Sequence, residues 1–496
     1  MLDPLRFLSA HSLLNIESFV ALAFLVALVV GSKSSAALPQ VGSEVRHWPI
    51  FIGLAAGVFL VYWPVLGAPF LYDDYTHISD ARKADWHSIL AAFGPVEHPP
   101  GLFFRPFGFL VYWCNYLAAG PDPRLWHAVS LGFHAIDSCL VFSLCLNLRL
   151  GSTGSLGAAL LFALTGAAVE PAAWIDARFD PMATGLVLAS LLCCCRFLDS
   201  GRVGWVLGAC LAGVAACTSK ESAFCLPLLV ACLWFFRPED RQRLMMAFLA
   251  IGTVVGLVFM YRYWALGGLG GYRGAAGDSN IESFSIVRML NAVLVRDWTI
   301  LFFPVNWSGP VNFALAAMLC GTPVVLALSM WKTRVSRLVV VGSLAMTLCA
   351  ALPVQHLLLI GVDLANTRYV YLLSVGWATL WGAVLAGLRG WRWPVMGWLI
   401  VLHLMIAQHN LRFWMDVSEE ARHVCAAFGQ AVASTGGTAV VSGLPQRKNG
   451  AVFLANGFPE CVEMNAHLPE GRVSMFGTSN YVWNAATGRI EPVSGK

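Results

Sequence analysis

The stretch HWPIFIGLAAGVFLVYWPVLGAPFLY runs from His47 to Tyr72 without one formally charged residue, and Asp73-Asp74-Tyr75 follows it at once. It is long enough to cross a hydrocarbon core of roughly 30 Å, and a second such run extends from Val311 to Trp331. The whole chain has the same character. Of its 496 residues, 58% are hydrophobic and 12% charged, where a soluble domain carries about half and about a quarter. A single soluble globule is therefore excluded. The net charge of +4 sits in short basic clusters between apolar runs, which excludes a nucleic-acid partner and reads as topology signal. Most of the 14 cysteines, Cys193, Cys194, Cys195, Cys210, Cys217, Cys225 and Cys232 among them, lie inside apolar runs with no zinc-type spacing, so they read as small core residues.

Placing the clusters at Lys33/Arg46, Arg149, Arg196/Arg202, Arg237/Arg241/Arg243, Lys332/Arg334/Arg337 and Arg389/Arg392 in the cytoplasm yields about twelve alternating spans. They fall near 13–31, 47–67, 125–148, 155–170, 181–198, 203–218, 222–236, 243–265, 312–331, 337–355, 369–388 and 394–410. Two further runs, Leu102 to Leu117 and Val287 to Pro304, would break the alternation and are read as helices in or dipping into the outer interface. The first span is an uncleaved extra anchor. After Gln408 polar residues return; an amphipathic helix and short β-branched runs separated by Gly, Pro and Asn describe a small α+β module. Its two cysteines, Cys425 and Cys461, would suit a disulfide in an oxidising compartment. The expected fold is an all-α polytopic membrane protein plus this module, divided as 1–46, 47–410 and 411–496.

With the clusters inside, the outer loops collect Asp73, Asp74, Glu97, Arg105, Glu170, Asp176, Arg178, Asp180, Lys220, Glu221, Asp363 and Arg368. Charge near a membrane is costly and needs a reason; a shared site for an anionic ligand is the simplest. The Asp73-Asp74 pair supplies a general base for a hydroxyl, or ligands for a divalent ion if one takes part. Arg178, Lys220 and Arg368, each on a short outer loop, could together hold a phosphate. The competing reading, loop by loop, is local pairing of Lys220 with Glu221 and of Arg178 with Asp180. Asp137 lies mid-span, where helix–helix hydrogen bonding is expected of it; His127 and His134, seven residues apart, share its helix, with His127 near the outer end.

Taken in order, Tyr72-Asp73-Asp74, Phe104-Arg105-Pro106, Glu170 with Arg178 and Asp180, Ser219-Lys220-Glu221 and Arg368-Tyr369-x-Tyr371-Leu372-x-Ser374 resemble the membrane part of the GT-C glycosyltransferases. The similarity, over about residues 47 to 390, is to the branch of transmembrane and tetratricopeptide-repeat O-mannosyltransferases and their bacterial relatives, and more distantly to protein O-mannosyltransferases and lipid A aminoarabinose transferases. The resemblance implies a GT-C-like bundle that transfers a sugar, with inversion, from a polyprenyl-phosphate carrier to an acceptor hydroxyl of a protein or glycolipid at the outer face. It assigns Asp73 as base with Asp74 in support, and Arg105, Arg178, Lys220 and Arg368 to the donor phosphate. Glu97, His127, Glu170, Asp180, Glu221 and Tyr369 would take supporting or acceptor roles. No cofactor is required, because a phosphate leaves as a stable anion; a divalent metal ion, if used, would sit at Asp73 and Asp74. Arg outnumbers Lys 26 to 6, which suggests a GC-rich bacterium, hence an inner membrane, a periplasmic site and undecaprenyl phosphate. The rival readings are a transporter of a lipid-linked or anionic solute, and a ligase or polymerase of undecaprenyl-pyrophosphate glycans.

Overall fold

Apolar sequence becomes helix wherever it is long enough to satisfy its own backbone inside lipid. The structure, a computed structural model, describes residues 10–33, 47–95, 103–271, 285–435 and 437–493. Among the described residues seven helices are long and apolar enough to cross a bilayer: Ala10–Gly31, Pro123–Asn147, Ile175–Ser200, Pro238–Leu266, Phe313–Lys332, Arg337–Leu357 and Arg389–Thr435. An eighth crossing is the pair Gly151–Leu164 and Gly166–Ala173, bent by 45°. Shorter apolar helices, Trp48–Val61, Gly204–Cys217, Glu221–Phe235 and Leu373–Gly387, occupy the four remaining places, so every expected span coincides with an apolar helix. The expected interfacial runs form Pro106–Ala119 and the series Ile286–Asn291, Ala292–Arg296 and Asp297–Phe302. The second series turns inward, with Phe302 packed on Phe24, Trp377 and Trp381.

Leu373–Gly387 is the central helix, buried from Leu373 to Leu385. It crosses Gly151–Leu164 where two glycines meet. A Cβ on Gly154 would lie 2.6 Å from the Gly382 carbonyl oxygen, and one on Gly382 2.7 Å from that of Gly154. Small residues permit this backbone approach, and dispersion between the helices is the return. Gly382→Leu is expected to destabilise the bundle by about 1–3 kcal/mol through overpacking. An unchanged melting temperature in detergent would show that the crossing is slack. Nearby, the Tyr371 hydroxyl donates to Asp137 Oδ2 at 2.9 Å and lies 2.7 Å from His134 Nδ1, which is the helix–helix bonding expected of Asp137.

The basic clusters gather at one end of the bundle. Arg237 pairs there with Asp199 at 2.5 Å and Asp240 at 2.9 Å, Arg149 with Glu239 at 2.5 Å, and Arg337 donates to the Ser32 carbonyl. The helix Ile175–Ser200 starts beside Asp176 and ends beside Asp199. At 1.5 Å per residue the two ends are roughly 35 Å apart, about a membrane thickness. Asp73, Glu170, Asp176, Lys220 and Arg368 occupy the other end.

At that end the helix Arg392–Thr435, 44 residues long, carries the chain without a break from the bundle into the C-terminal module. The module's sheet orders its strands Val473–Ser474, Ala439–Ser442, Tyr481–Asn484 and Arg489–Pro492. The first three run parallel, with Val441 opposite Tyr481; the last pair is antiparallel, with Trp483 opposite Ile490. The helix Phe458–Ala466 completes it, bonded to the long helix by a Cys425–Cys461 disulfide with Cα atoms 5.9 Å apart. One hydrophobic core joins the bundle's Phe70, Tyr75 and Trp174 to the module's Phe428, Phe453, Phe458 and Val462.

Candidate active site

The Asp73–Lys83 helix begins on a strained residue. Tyr72 has φ +58°, unusual for a bulky side chain, and such backbone strain, of order 1–3 kcal/mol, concentrates at functional sites. The strain sets Asp73 at the helix N-terminus. Its carboxyl lies within electrostatic reach of Asp176, His77 and Arg368, with Asn456 of the C-terminal module nearby. Burial first, then Asp176, push it up to about 6, against the lowering effect of His77, Asn456 and Arg368. At neutral pH it is a carboxylate of raised basicity, suited to a general base.

Asp74 is a different group. It is fully buried; its Oδ2 accepts the Leu71 N–H at 3.0 Å and its Oδ1 the Asp176 N–H at 2.8 Å. Burial pushes it up to about 8 despite those donors. The expected catalytic role of Asp74 is corrected to a staple between the first helical turn and the loop at 176. Among the described residues no group of three or more His, Cys, Asp and Glu side chains is arranged to hold a metal ion.

One turn along from Asp73, on the same helix face, His77 Nε2 meets Asp176 Oδ1 at 2.8 Å. Burial opposes its charge, but Asp176, Asp73 and Asp80 outweigh burial and raise it to about 9. His77 is an imidazolium at neutral pH and shields two carboxylates. Beside it a cavity of about 300 Å³ is lined by Phe109, Tyr112 and Trp113.

The cations come together, but their pairing crosses loops. Lys220 Nζ donates to Asp180 Oδ2 at 2.6 Å, and Arg105 engages Glu221 with Nη2 at 2.7 Å and Nε at 3.2 Å. Arg262 adds a second cation 3.9 Å from Glu221. Local pairing of Lys220 with Glu221 and of Arg178 with Asp180 is thus replaced by pairing between loops. Glu170, fully buried, accepts from Arg368 Nη1 at 2.5 Å, the Arg368 N–H at 3.1 Å and the Thr367 hydroxyl at 3.1 Å. The Arg368 guanidinium lies 4.9 Å from the Trp174 ring and 4.5 Å from that of Tyr369, whose hydroxyl it bonds at 2.9 Å. Lys220 Nζ is 5.2 Å from the same Tyr369 ring. Positive φ recurs on the loop leading to Arg368, at Leu364 (+59°) and Asn366 (+77°).

Arg178 requires a correction. It is fully buried, and it donates to Ser130 Oγ at 3.2 Å, Asn115 Oδ1 at 2.5 Å and the Trp126 carbonyl at 2.7 Å, between the Tyr112 and Trp126 rings. Its donors brace the bundle and are not presented to a phosphate. His127, also fully buried, neighbours Arg178. Glu97 lies outside the described residues.

His77, Arg262 and Asn456 were absent from the expected site, and Asp176 stood among its outer-loop charges without a role of its own. His77 carries a sequence signal, the four-residue spacing from Asp73, and Asp176 lies inside the charged loop 170–180. Asn456 carries none, because only folding brings the module to Asp73.

No protein-family model matches the chain. It is similar to Protein O-mannosyl-transferase Tmtc1 of Drosophila melanogaster, 27% identical over 219 residues that cover 41% of this chain and 25% of that protein. It is also similar to Protein O-mannosyl-transferase tmtc2 of Xenopus laevis, 27% identical over 266 residues covering 49% and 32%. The chain spans a third or less of the length of these curated relatives. Among solved structures, ArnT from Cupriavidus metallidurans in the apo state superposes with a TM-score of 0.46 at 13% identity, covering 86% of each chain. ArnT bound to undecaprenyl phosphate gives 0.42 at 12%, covering 87% of this chain and 90% of that one. The sequence similarity agrees with the GT-C resemblance of the motifs.

Proposed function

We propose that the protein is an inverting glycosyltransferase, moving a sugar from a polyprenyl-phosphate carrier to an acceptor hydroxyl of a protein or glycolipid at the outer face of the membrane. For a bacterial inner membrane the carrier is undecaprenyl phosphate and the face periplasmic. One observation carries the reading: a carboxylate of raised basicity, Asp73, lies within electrostatic reach of Arg368, which shares its surroundings with Lys220 and Arg105. Similarity to two protein O-mannosyl-transferases supports it, as does a disulfide on the same side as the site, which suits an oxidising compartment.

In the reaction Asp73 takes the proton from the acceptor hydroxyl as its oxygen bonds to the anomeric carbon. The carbon–oxygen bond to the phosphate breaks, and its electron pair leaves with the lipid phosphate. Arg368, Lys220 and Arg105 meet the charge that grows there. Single displacement inverts the anomeric centre, and the proton passes from Asp73 to water. No step needs an acid or a metal.

The test is incubation of purified protein in detergent with radiolabelled polyprenyl-phosphate sugars, with and without EDTA, following loss of label from the lipid. Turnover is expected to rise through about pH 6 as Asp73 ionises and to fall toward pH 9 as His77 loses its proton. The His77–Asp176 pair stabilises the fold in the same sense: fully below about pH 6.5, and progressively lost as pH rises through 9. No consumption of any donor, with transport of lipid-linked solute into vesicles, would replace the transferase by a transporter.

A further inference from the structure

Arg368 stands at the end of a loop whose backbone needs support from outside. Leu364 (φ +59°) and Asn366 (φ +77°) place non-glycine residues in the left-handed region, and such conformers persist only where the surrounding structure over-determines them. The support comes from the C-terminal module, whose hairpin pairs Arg447–Lys448 with Ala451–Val452 through a turn at Asn449 (φ +50°) and Gly450 (φ +87°). Gly450 presses on the loop: a Cβ there would lie 1.9 Å from the Asp363 carbonyl oxygen, so only glycine admits the approach. Arg447 bridges the two, donating from Nη2 to Asn366 Oδ1 at 2.7 Å and from Nη1 to the Gly450 carbonyl at 2.8 Å. Its Nη1 lies 4.0 Å from Glu170 Oε1, the oxygen that Arg368 also holds. From the stretch before Phe313–Lys332, Asn306 Nδ2 donates to the Asn449 carbonyl at 2.9 Å and the Trp307 N–H to the Val362 carbonyl at 2.9 Å. Lys448, next on the strand, turns away and pairs with Glu420 of the long helix at 2.6 Å.

We propose that this hairpin latches the loop that delivers Arg368, with Arg447 as the positioning residue that sets the Arg368 guanidinium for the donor phosphate. The inference rests on the transferase reading above. The link is short: Asn366 immediately precedes the Thr367–Val370 turn, and within that turn the Thr367 hydroxyl, the Arg368 N–H and Arg368 Nη1 all donate to Glu170. A charge-assisted bond on Asn366 thus fixes the turn from the module side, while Glu170 fixes it from the bundle side. The Arg447 guanidinium is engaged by Asn366 and the Gly450 carbonyl, so it acts on the donor through Arg368 and not by a contact of its own.

The test uses the full-length protein in detergent with radiolabelled undecaprenyl-phosphate mannose and dolichyl-phosphate mannose, measuring kcat and donor KM. Arg447→Ala should raise donor KM by about tenfold and change kcat by less than about twofold, the pattern of lost donor binding with the base chemistry intact. Asn366→Gly, which removes the acceptor oxygen yet keeps the positive φ, should give the same rise, and the double variant no more, because all three break one bond. It also tests the inference if Arg447→Ala does not fold. In the Glu170→Gln/Arg368→Met background, which lacks the guanidinium to be positioned, Arg447→Ala should leave donor KM where it is. Lys448→Ala is the control on the same hairpin and should keep the wild-type KM. No rise in Arg447→Ala or Asn366→Gly, an equal rise in Lys448→Ala, or a further rise once Arg368 is gone overturns the inference while the transferase stands. Wild-type protein that consumes neither donor overturns the transferase reading and this inference with it.

Discussion

Asp73→Asn is expected to reduce donor consumption by about a thousandfold, the contribution of a general base in the middle of its usual range, while donor binding persists. Asparagine keeps the shape but cannot take a proton. The same substitution should raise the melting temperature. Asp73 is pushed up to about 6 by burial and by Asp176, so its protonated form suits the fold better than its charge does. A carboxyl raised in this way contributes most at low pH, below its unfolded value, and weakens the fold as pH rises through about 6. At pH 7 the ionised group therefore costs on the order of 1–2 kcal/mol, discounted for partial exposure, and an uncharged isostere removes that cost. An inactive variant that is also less stable would point to a structural carboxylate, and a variant of full activity would end the assignment. Asp74→Asn should differ, because both Asp74 oxygens accept backbone N–H groups and an amide nitrogen in place of one of them faces a donor.

Removing Arg368 should have the next largest effect, on stability and binding together. Arg368→Ala leaves the Glu170 carboxylate buried with the Thr367 hydroxyl, a backbone N–H and the Arg447 guanidinium 4.0 Å away, and without its directly bonded cation. Breaking a buried pair on one side costs about 3–5 kcal/mol. Donor affinity should fall as well, since the same guanidinium lies within electrostatic reach of Asp73 and meets the donor phosphate in the proposed reaction. The double variant Glu170→Gln/Arg368→Met separates the two roles. It should recover most of the thermal stability, because no uncompensated charge remains, yet still bind polyprenyl-phosphate sugar at least tenfold more weakly. Should the double variant bind donor like wild type, Arg368 would be a strut and the phosphate site would have to be sought at Lys220 and Arg105.

The sequence carried much of the site in its residue types, and little of it in its partnerships. Asp73, Arg105, Lys220 and Arg368 could be named because charges beside apolar runs are expensive and therefore conspicuous. Arg178 looked equivalent to them in the string, yet it is buried between Tyr112 and Trp126 with three protein acceptors. Nothing local distinguishes an arginine aimed at a ligand from one that ties helices together; the difference lies in which aromatic faces and carbonyls surround it. Asp74 was inseparable from Asp73 for the same reason, until a backbone with φ +58° at Tyr72 sent one carboxyl toward Asp176, His77 and Arg368 and the other into the chain.

What the sequence determined by itself is the solvent of each segment. Hydrophobic transfer is nearly additive along a chain, so apolar length and the sides taken by arginine and lysine sufficed for twelve helices, for a charged end and for a polar module beyond Gln408. Tertiary structure alone decided which charge faces which: Lys220 with Asp180, Arg105 with Glu221, and Arg368 with Glu170. Electrostatic and hydrogen-bond energies depend on distances of a few ångströms between residues tens or hundreds of positions apart, and those distances exist only once the helices have packed.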